Sequence, residues 1–480
     1  MRLRLVLNTV GKLLILLAGI MVIPLGVALF YQGTDRFAFA RSIIVTFLAG
    51  GLLALIKPEG DFRRREGLAV VGLGWLLLTA FGALPFLWSG TVQTYTDAFF
   101  ETMSGFTTTG ATILSDVEAT ARGILFWRSL THWLGGMGII VLSLALFPAL
   151  RQGYFLYEAE VPSPFPDKVV PRLRTTSAVL WLIYSGLTLL LVIILRWAGM
   201  SWYEGTIHAM GTLATGGFST RNLSVEAYHS LSIELILIVF MFLAGLNFSL
   251  YYRMLTKRSL KPLWQSTEAR VFAGVILVAS LLIALTLAGS YGLPWGEACR
   301  RALFQVVSVM TTTGFSSDNF DRWPELARAI LLLLMFSGAC TGSTGGSIKI
   351  GRLVVLFRYA RRQVTKAFNP RQVIPTKLDG VVVSATAVHT MAAFFFLYIT
   401  LFALGTLGVA ATGADLITAV SAAASCLGNI GPGLGEVVGP LGNYGSLHPV
   451  AKWVLSLLML AGRLEILPLL VLFSPRFWHK

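Results

Sequence analysis

Four short segments carry the residue types from which a cation site is built: Thr96 to Thr112, Tyr203 to Ser219, Gly296 to Ser316 and Ala414 to Pro432. Their endings are alike. They read Thr107-Thr108-Thr109-Gly110-Ala111, Leu213-Ala214-Thr215-Gly216-Gly217-Phe218, Thr311-Thr312-Thr313-Gly314-Phe315 and Leu427-Gly428-Asn429-Ile430-Gly431-Pro432. None offers a continuous apolar run long enough to cross a bilayer, which takes about 20 predominantly apolar residues, and each lies between long apolar runs. Non-helical backbone at membrane depth is tolerated only where it is buried in protein or lines water. Thr and Gly let the chain run extended, Gly taking dihedrals that a Cβ forbids. A ring of backbone carbonyls can then replace the hydration shell of a small cation, with the partly negative end of each preceding half-helix aimed at it. One such loop would be explained by close helix packing. Four at matching positions define a repeat of helix, half-helix, loop and helix.

The elements that position these loops follow from composition. The 480 residues are 55% hydrophobic and 13% charged, with 48 Gly and 18 Pro, and the mean hydropathy is +0.73. This excludes soluble, disordered and disulfide-stapled classes. Cys299, Cys340 and Cys426 form no CxxC pair, so neither a disulfide framework nor a zinc knuckle is supported. About ten apolar stretches are long enough to span a bilayer: near 11–30, 39–55, 68–88, 124–147, 178–197, 231–252, 271–288, 329–357, 381–409 and 450–473. Arg2, Arg4 and Lys12 precede the first, but no small-residue cleavage site follows it, so it reads as a retained helix rather than a signal peptide. The net charge of +15 gathers in connections on one side, which by the positive-inside rule puts the N-terminus in the cytoplasm and leaves no need for nucleic acid.

Two further features lie within spans. After Leu331 to Phe336 the eighth span runs into Gly338-Ala339-Cys340-Thr341-Gly342-Ser343-Thr344-Gly345-Gly346-Ser347. Each Gly costs a helix about 1 kcal/mol against Ala, so the helix unwinds there, and discontinuous helices mark functional cavities. Arg463 lies in the last span, where a charge is a functional hypothesis by default. Glu465, two positions on, falls on another helix face and is a poor partner for it. Lys349, Arg352, Arg358, Arg361, Arg362 and Lys366 follow the broken helix, as lipid contacts or as a surface for a regulator.

The four loops, with Trp133 to Leu142, Gly217 to Asn222, Cys426 to Gly433, the stretch Tyr157 to Pro164 and two extra N-terminal spans, resemble the TrkH/TrkG branch of the Trk/Ktr/HKT potassium transporters over nearly the whole chain. The resemblance implies a bacterial inner-membrane potassium-uptake subunit with one pore per chain. It further implies a homodimer and a cytosolic nucleotide-binding regulator of the TrkA type. Carried over residue by residue, the potassium filter falls on Thr108, Thr109 and Gly110; Ala214, Thr215 and Gly216; Thr312, Thr313 and Gly314; and Asn429, Ile430 and Gly431. Some HKT relatives with Ser in the first loop prefer sodium, so four glycines imply potassium selectivity. The fourth loop departs from Thr-Gly. The resemblance also makes Gly338, Gly342, Ser343, Thr344, Gly345 and Gly346 a gate loop beneath the filter, with Arg463 in the pore below it.

The expected fold is thus an all-α polytopic membrane protein: two leading helices in residues 1–60, then pore repeats over 61–150, 151–262, 263–370 (with the gate loop) and 371–480. Partners are potassium ion and membrane lipid, with no cofactor on this chain. No Walker loop, GxGxxG, HExxH or GxSxG motif points to an enzyme. A proton- or sodium-coupled symporter is the rival within transport and would need a titratable relay, for which Glu101 and Glu465 are the nearby candidates. A non-conducting scaffold or sensor is the rival from another class.

Overall fold

The structure, a computed structural model, describes residues 1–60, 63–138, 173–372 and 374–478. The stretches Ile139 to Leu142 and Tyr157 to Pro164 of the resemblance lie outside them. The described residues are mostly helical, in the pattern of a polytopic membrane protein. It begins with α1 (Leu3–Ile20), α2 (Val22–Phe30) and α3 (Arg36–Ala54). A Cβ on Gly11 would lie 2.7 Å from the Gly50 carbonyl oxygen, and one on Gly50 2.9 Å from that of Gly11, so α1 and α3 pack backbone to backbone.

The first repeat runs through α4 (Arg64–Gly82), α5 (Leu84–Trp88), the half-helix α6 (Tyr95–Phe106) and α7 (Arg122–Gly136). The second has α8 (Leu173–Trp197), the half-helix α9 (Trp202–Leu213), α10 (Leu231–Ala244) and α11 (Phe248–Lys257). After the short α12 (Lys261–Gln265), the third has α13 (Thr267–Tyr291), the half-helix α14 (Trp295–Met310), α15 (Glu325–Leu334) and α16 (Ile350–Phe368). A two-residue antiparallel hairpin, β1 (Lys377–Leu378) with β2 (Val381–Val382), leads into the fourth. That repeat has α17 (Ala385–Ala410), the half-helix α18 (Leu416–Gly428), α19 (Pro449–Arg463), α20 (Leu467–Leu472) and the terminal turn α21 (Pro475–Trp478).

Three of the half-helices start on side-chain caps, where Thr94, Ser201 and Asp415 accept the backbone N–H three residues on. The leading helices share a core with the first and fourth repeats, including buried Trp75, Trp127 and Phe106, and a second core joins the second and third repeats.

Among the described residues, six helical segments are long and apolar enough to cross a membrane, and the Leu231–Lys257 pair, bent by 91°, would be a seventh. The expectation of about ten spans, with a break only in the eighth, is corrected by the helices that return from each loop. They stop at Gly136, Ala244, Leu334 and Arg463, so the apolar runs 231–252 and 450–473 are broken as well as 329–357. The break after Arg463 is sharp. Glu465 is left-handed, and Ile466, at φ 69° and ψ −55°, forms a γ-turn in which Leu467 N–H donates to Glu465 O at 2.7 Å.

Candidate ion site and gate

All four half-helices end in the same motif. The residue after the last turn is left-handed: Thr108 (φ 53°), Thr215 (φ 55°), Thr312 (φ 60°) and Asn429 (φ 55°). Its N–H donates three residues back, to Gly105, Thr212, Val309 and Cys426, and the next N–H donates five back, to Ser104, Gly211, Ser308 and Ser425. This is the Schellman arrangement, which usually holds Gly or Asn at the left-handed position. Asn429 suits it; three β-branched threonines there are outliers, each at about 1–2 kcal/mol, and such strain concentrates at functional sites.

Two residues after each left-handed residue comes a glycine, also at positive φ: Gly110, Gly217, Gly314 and Gly431. These four close a ring. A Cβ on Gly110 would strike the carbonyl oxygen of Gly216; on Gly217, that of Thr313; on Gly314, that of Ile430; and on Gly431, that of Thr109, at 2.7 Å. Each loop therefore backs onto the next in chain order, with no room for a side chain between them. The geometry shifts the second loop by one residue relative to the sequence expectation. Gly217, not Gly216, is equivalent to Gly110, and Gly216 stands where Thr109, Thr313 and Ile430 stand. Ala214 caps its half-helix one step earlier. The repeated Gly in Thr215-Gly216-Gly217 left the register ambiguous, because only backbone dihedrals tell the two apart.

The threonine hydroxyls are satisfied within the protein. Thr109 Oγ1 pairs with Thr107 Oγ1 and Thr313 Oγ1 with Thr311 Oγ1, both at 2.8 Å. Thr215 Oγ1 donates to Ala214 O at 2.6 Å, and Asn429 Nδ2 donates to Thr109 Oγ1 at 3.1 Å. By contrast, the carbonyl oxygens of Thr109, Thr313 and Ile430 accept no hydrogen bond from any described residue. Buried carbonyls need a partner, and a ring of them suits a desolvated cation.

Beneath the ring lies the non-helical segment between α15 and α16. It touches three of the four loops: Thr344 Oγ1 donates to Leu213 O at 3.0 Å, Gly346 N–H donates to Thr312 Oγ1 at 2.8 Å, and a Cβ on Gly345 would lie 2.9 Å from Thr311 O. A Cβ on Gly346 would reach Asn429. Gly338 N–H donates to Ile348 O, Gly342 O accepts from Phe248 N–H, and Ser343 Oγ donates to Cys340 O, folding the segment on itself and onto the break between α10 and α11. Glu268, at the start of α13, accepts from Thr341 N–H at 3.0 Å and Thr341 Oγ1 at 2.8 Å.

Arg463, at the end of the helix that returns from the fourth loop, reaches the adjacent first repeat and the non-helical segment. It donates to Thr108 Oγ1 at 3.3 Å, to Thr344 O at 2.7 Å, and to the terminal carbonyls of α7 at Gly135 and Gly136. A guanidinium at the orphan carbonyls of a helix C-terminus is doubly favoured, by hydrogen bonding and by the dipole. Glu465 pairs with Arg352 instead; it lies in the left-handed break past the end of α19, not on a helix face as the sequence spacing implied. Lys349 and Arg352, grouped in the sequence with the cytoplasmic charges, are buried: Lys349 donates to Gly345 O, and Arg352 also lies over the Phe394 ring. Glu101 makes a buried ion pair with Arg128 at 2.6 Å.

A family model described as TrkH, cation transport protein, matches residues 35–480. The chain is 40% identical to the Trk system potassium uptake protein TrkH of Escherichia coli (strain K12), with all of both chains covered. It is 34% identical to TrkG of the same strain over 99% of each. The crystal structure of the potassium transporter TrkH from Vibrio parahaemolyticus superposes with a TM-score of 0.91 at 35% identity, covering both chains fully. These relatives are named as transporters, not enzymes.

Proposed function

Since the chain belongs to the TrkH family of cation transport proteins, we propose that it carries potassium ion inward across a bacterial inner membrane, its N-terminus in the cytoplasm. The observation that carries this reading is the closed cycle of four loops, in which each glycine abuts a carbonyl of the next. Potassium is the cargo, held by backbone carbonyls of residues 108–110, 215–217, 312–314 and 429–431. The segment Gly338 to Gly346, with Arg463, is the gate. Its contacts with Leu213, Thr312 and Thr108 support an obstruction directly under the ring. Opening must break those contacts, and α16, which runs out of the gate with exposed Arg361 on it, offers the lever for a cytosolic nucleotide-binding regulator of the TrkA type. The chain works as a homodimer without a cofactor of its own.

Coupled symport fits less well. Glu101 and Glu465, the two carboxylates that the sequence offered as a relay, are each held in an ion pair. Flux from proteoliposomes of the purified chain, with K+ and Na+ in parallel and pH clamped, tests the reading. Saturable K+-selective flux without a proton or sodium gradient is expected, and Gly314→Ser is expected to lower the discrimination. Flux only under such a gradient would replace the channel-like reading with symport. Silence also in the presence of the regulator would favour a scaffold.

A further inference from the structure

Each pore half-helix carries one buried polar side chain about two turns before its end. Glu101, His208 and Gln305 lie seven residues before the left-handed residue of their loop; in the fourth, Ser421 lies eight before Asn429. All four are essentially inaccessible. Each holds the limb that leads out of its loop, one to three residues past the ring glycine. Glu101 accepts from Thr112 Oγ1 at 3.0 Å and Ile113 N–H at 2.9 Å. His208 Nε2 meets Ser219 Oγ at 3.0 Å. Gln305 Nε2 donates to Phe315 O at 3.3 Å, and Ser421 Oγ both donates to Leu434 O and accepts its N–H, at 3.0 and 2.9 Å.

The side-chain chemistry differs in every repeat while the tether recurs. We propose that these four are positioning residues for ion discrimination, with the Glu101–Arg128 pair the principal one: they fix the outgoing limbs and thereby the spacing of the ring carbonyls. Arg128 extends the tether between loops. It donates Nε–H to Glu101 Oε1 at 2.6 Å and a second N–H to Ser219 O at 3.1 Å, and lies 3.5 Å over the Phe218 ring. One ion pair thus joins the outgoing limbs of the first and second loops. Stability alone is a poor reason for it, since apolar replacements of buried pairs are often neutral or stabilising. The tethers matter only if the ring is the ion filter, so the inference rests on that reading.

The test compares Glu101→Gln, the double variant Glu101→Gln/Arg128→Gln and Ser421→Ala, with Gly217→Ala as the filter reference. The readouts are the K+/Na+ flux ratio in proteoliposomes and thermal melting in detergent. Glu101→Gln is expected to lower the ratio about tenfold, because a single amide oxygen replaces acceptors for three donors. In the double variant melting recovers, no unpaired charge being buried, while the ratio stays low. Ser421→Ala is expected to lower the ratio about threefold with little effect on melting. Recovery of the ratio together with melting in the double variant would make the pair a charge balance and overturn the proposal. So would wild-type ratios in the double variant and Ser421→Ala while Gly217→Ala loses selectivity. If Gly217→Ala also leaves the ratio unchanged, the ring is not the filter and the proposal falls with it. Should Glu101→Gln fail to fold, the double variant and Ser421→Ala decide.

Discussion

Replacing Gly217 by Ala adds one methyl group at a point where the backbone is left-handed, φ 77°. That conformation costs an L-residue about 1–2 kcal/mol. The new Cβ would press on the carbonyl oxygen of Thr313 in the third loop, with the carbonyl carbons of Gly314 and Thr313 at 3.0 and 3.1 Å. These are backbone atoms, so they cannot rotate away and one ring carbonyl must move. A displaced ligand weakens the ion that fits the ring most closely. With a penalty of the same size as the backbone term, the K+/Na+ flux ratio is expected to fall by a factor of about 5–30. Gly216→Ala is the internal control. Gly216 is not left-handed, and a methyl there meets the ring of His132 at 2.5 to 2.7 Å, behind the loop, where His132 stacks on Phe218 with centroids 3.9 Å apart. Overpacking of that kind lowers stability by about 1–3 kcal/mol, so its melting temperature drops while the ratio changes less than in Gly217→Ala. Parallel K+ and Na+ flux assays with thermal melts separate the two. A ratio retained in Gly217→Ala but lost in Gly216→Ala would refute the register and the ring contact from which it is argued.

Arg463→Ala removes a guanidinium that joins Thr108, Thr344 and the end of α7; losing one charged hydrogen bond of about 1.5–3 kcal/mol is expected to raise basal K+ flux roughly tenfold or more, and unaltered flux both here and after deletion within 342–346 would dismiss the gate. Glu268→Ala releases both donors of Thr341 and is expected to raise basal flux several-fold, about what one or two net hydrogen bonds supply; wild-type flux in a folded variant would show that this anchor does not hold the gate. In the connection between α6 and α7, the Asn222 amide, with the Ala119 and Glu118 N–H groups, holds the Asp116 carboxyl below its usual range. A depressed carboxylate stabilises the fold fully above the unfolded value of about 3.9 and less as pH falls through the folded one, so proteolytic susceptibility of residues 112–123 is expected to rise only below about pH 4. A rise already at pH 6 contradicts that assignment.

The sequence by itself determined a polytopic helical chain, because lipid admits only helices and closed barrels, and the long continuous apolar runs lack the alternation of barrel strands. It also determined the four loops, the broken eighth span and the exceptional Arg463, since Gly-rich breaks and buried charge violate local rules that ordinary spans obey. Tertiary structure alone decided what those violations mean for each other. The register of Thr215-Gly216-Gly217 was settled by a carbonyl of the third loop, not by any local propensity. The breaks after Gly136, Ala244 and Arg463 were hidden in apolar sequence. At the first two, orphan carbonyls at Gly135, Gly136 and Gly245 find donors in Arg463 and Cys340, more than 90 residues away. The partners of Glu101, Glu268, Lys349 and Arg352 were likewise unreadable, because an ionisable side chain on one helix acquires a role only when another helix brings a counter-charge or donor to it in a medium that offers no water.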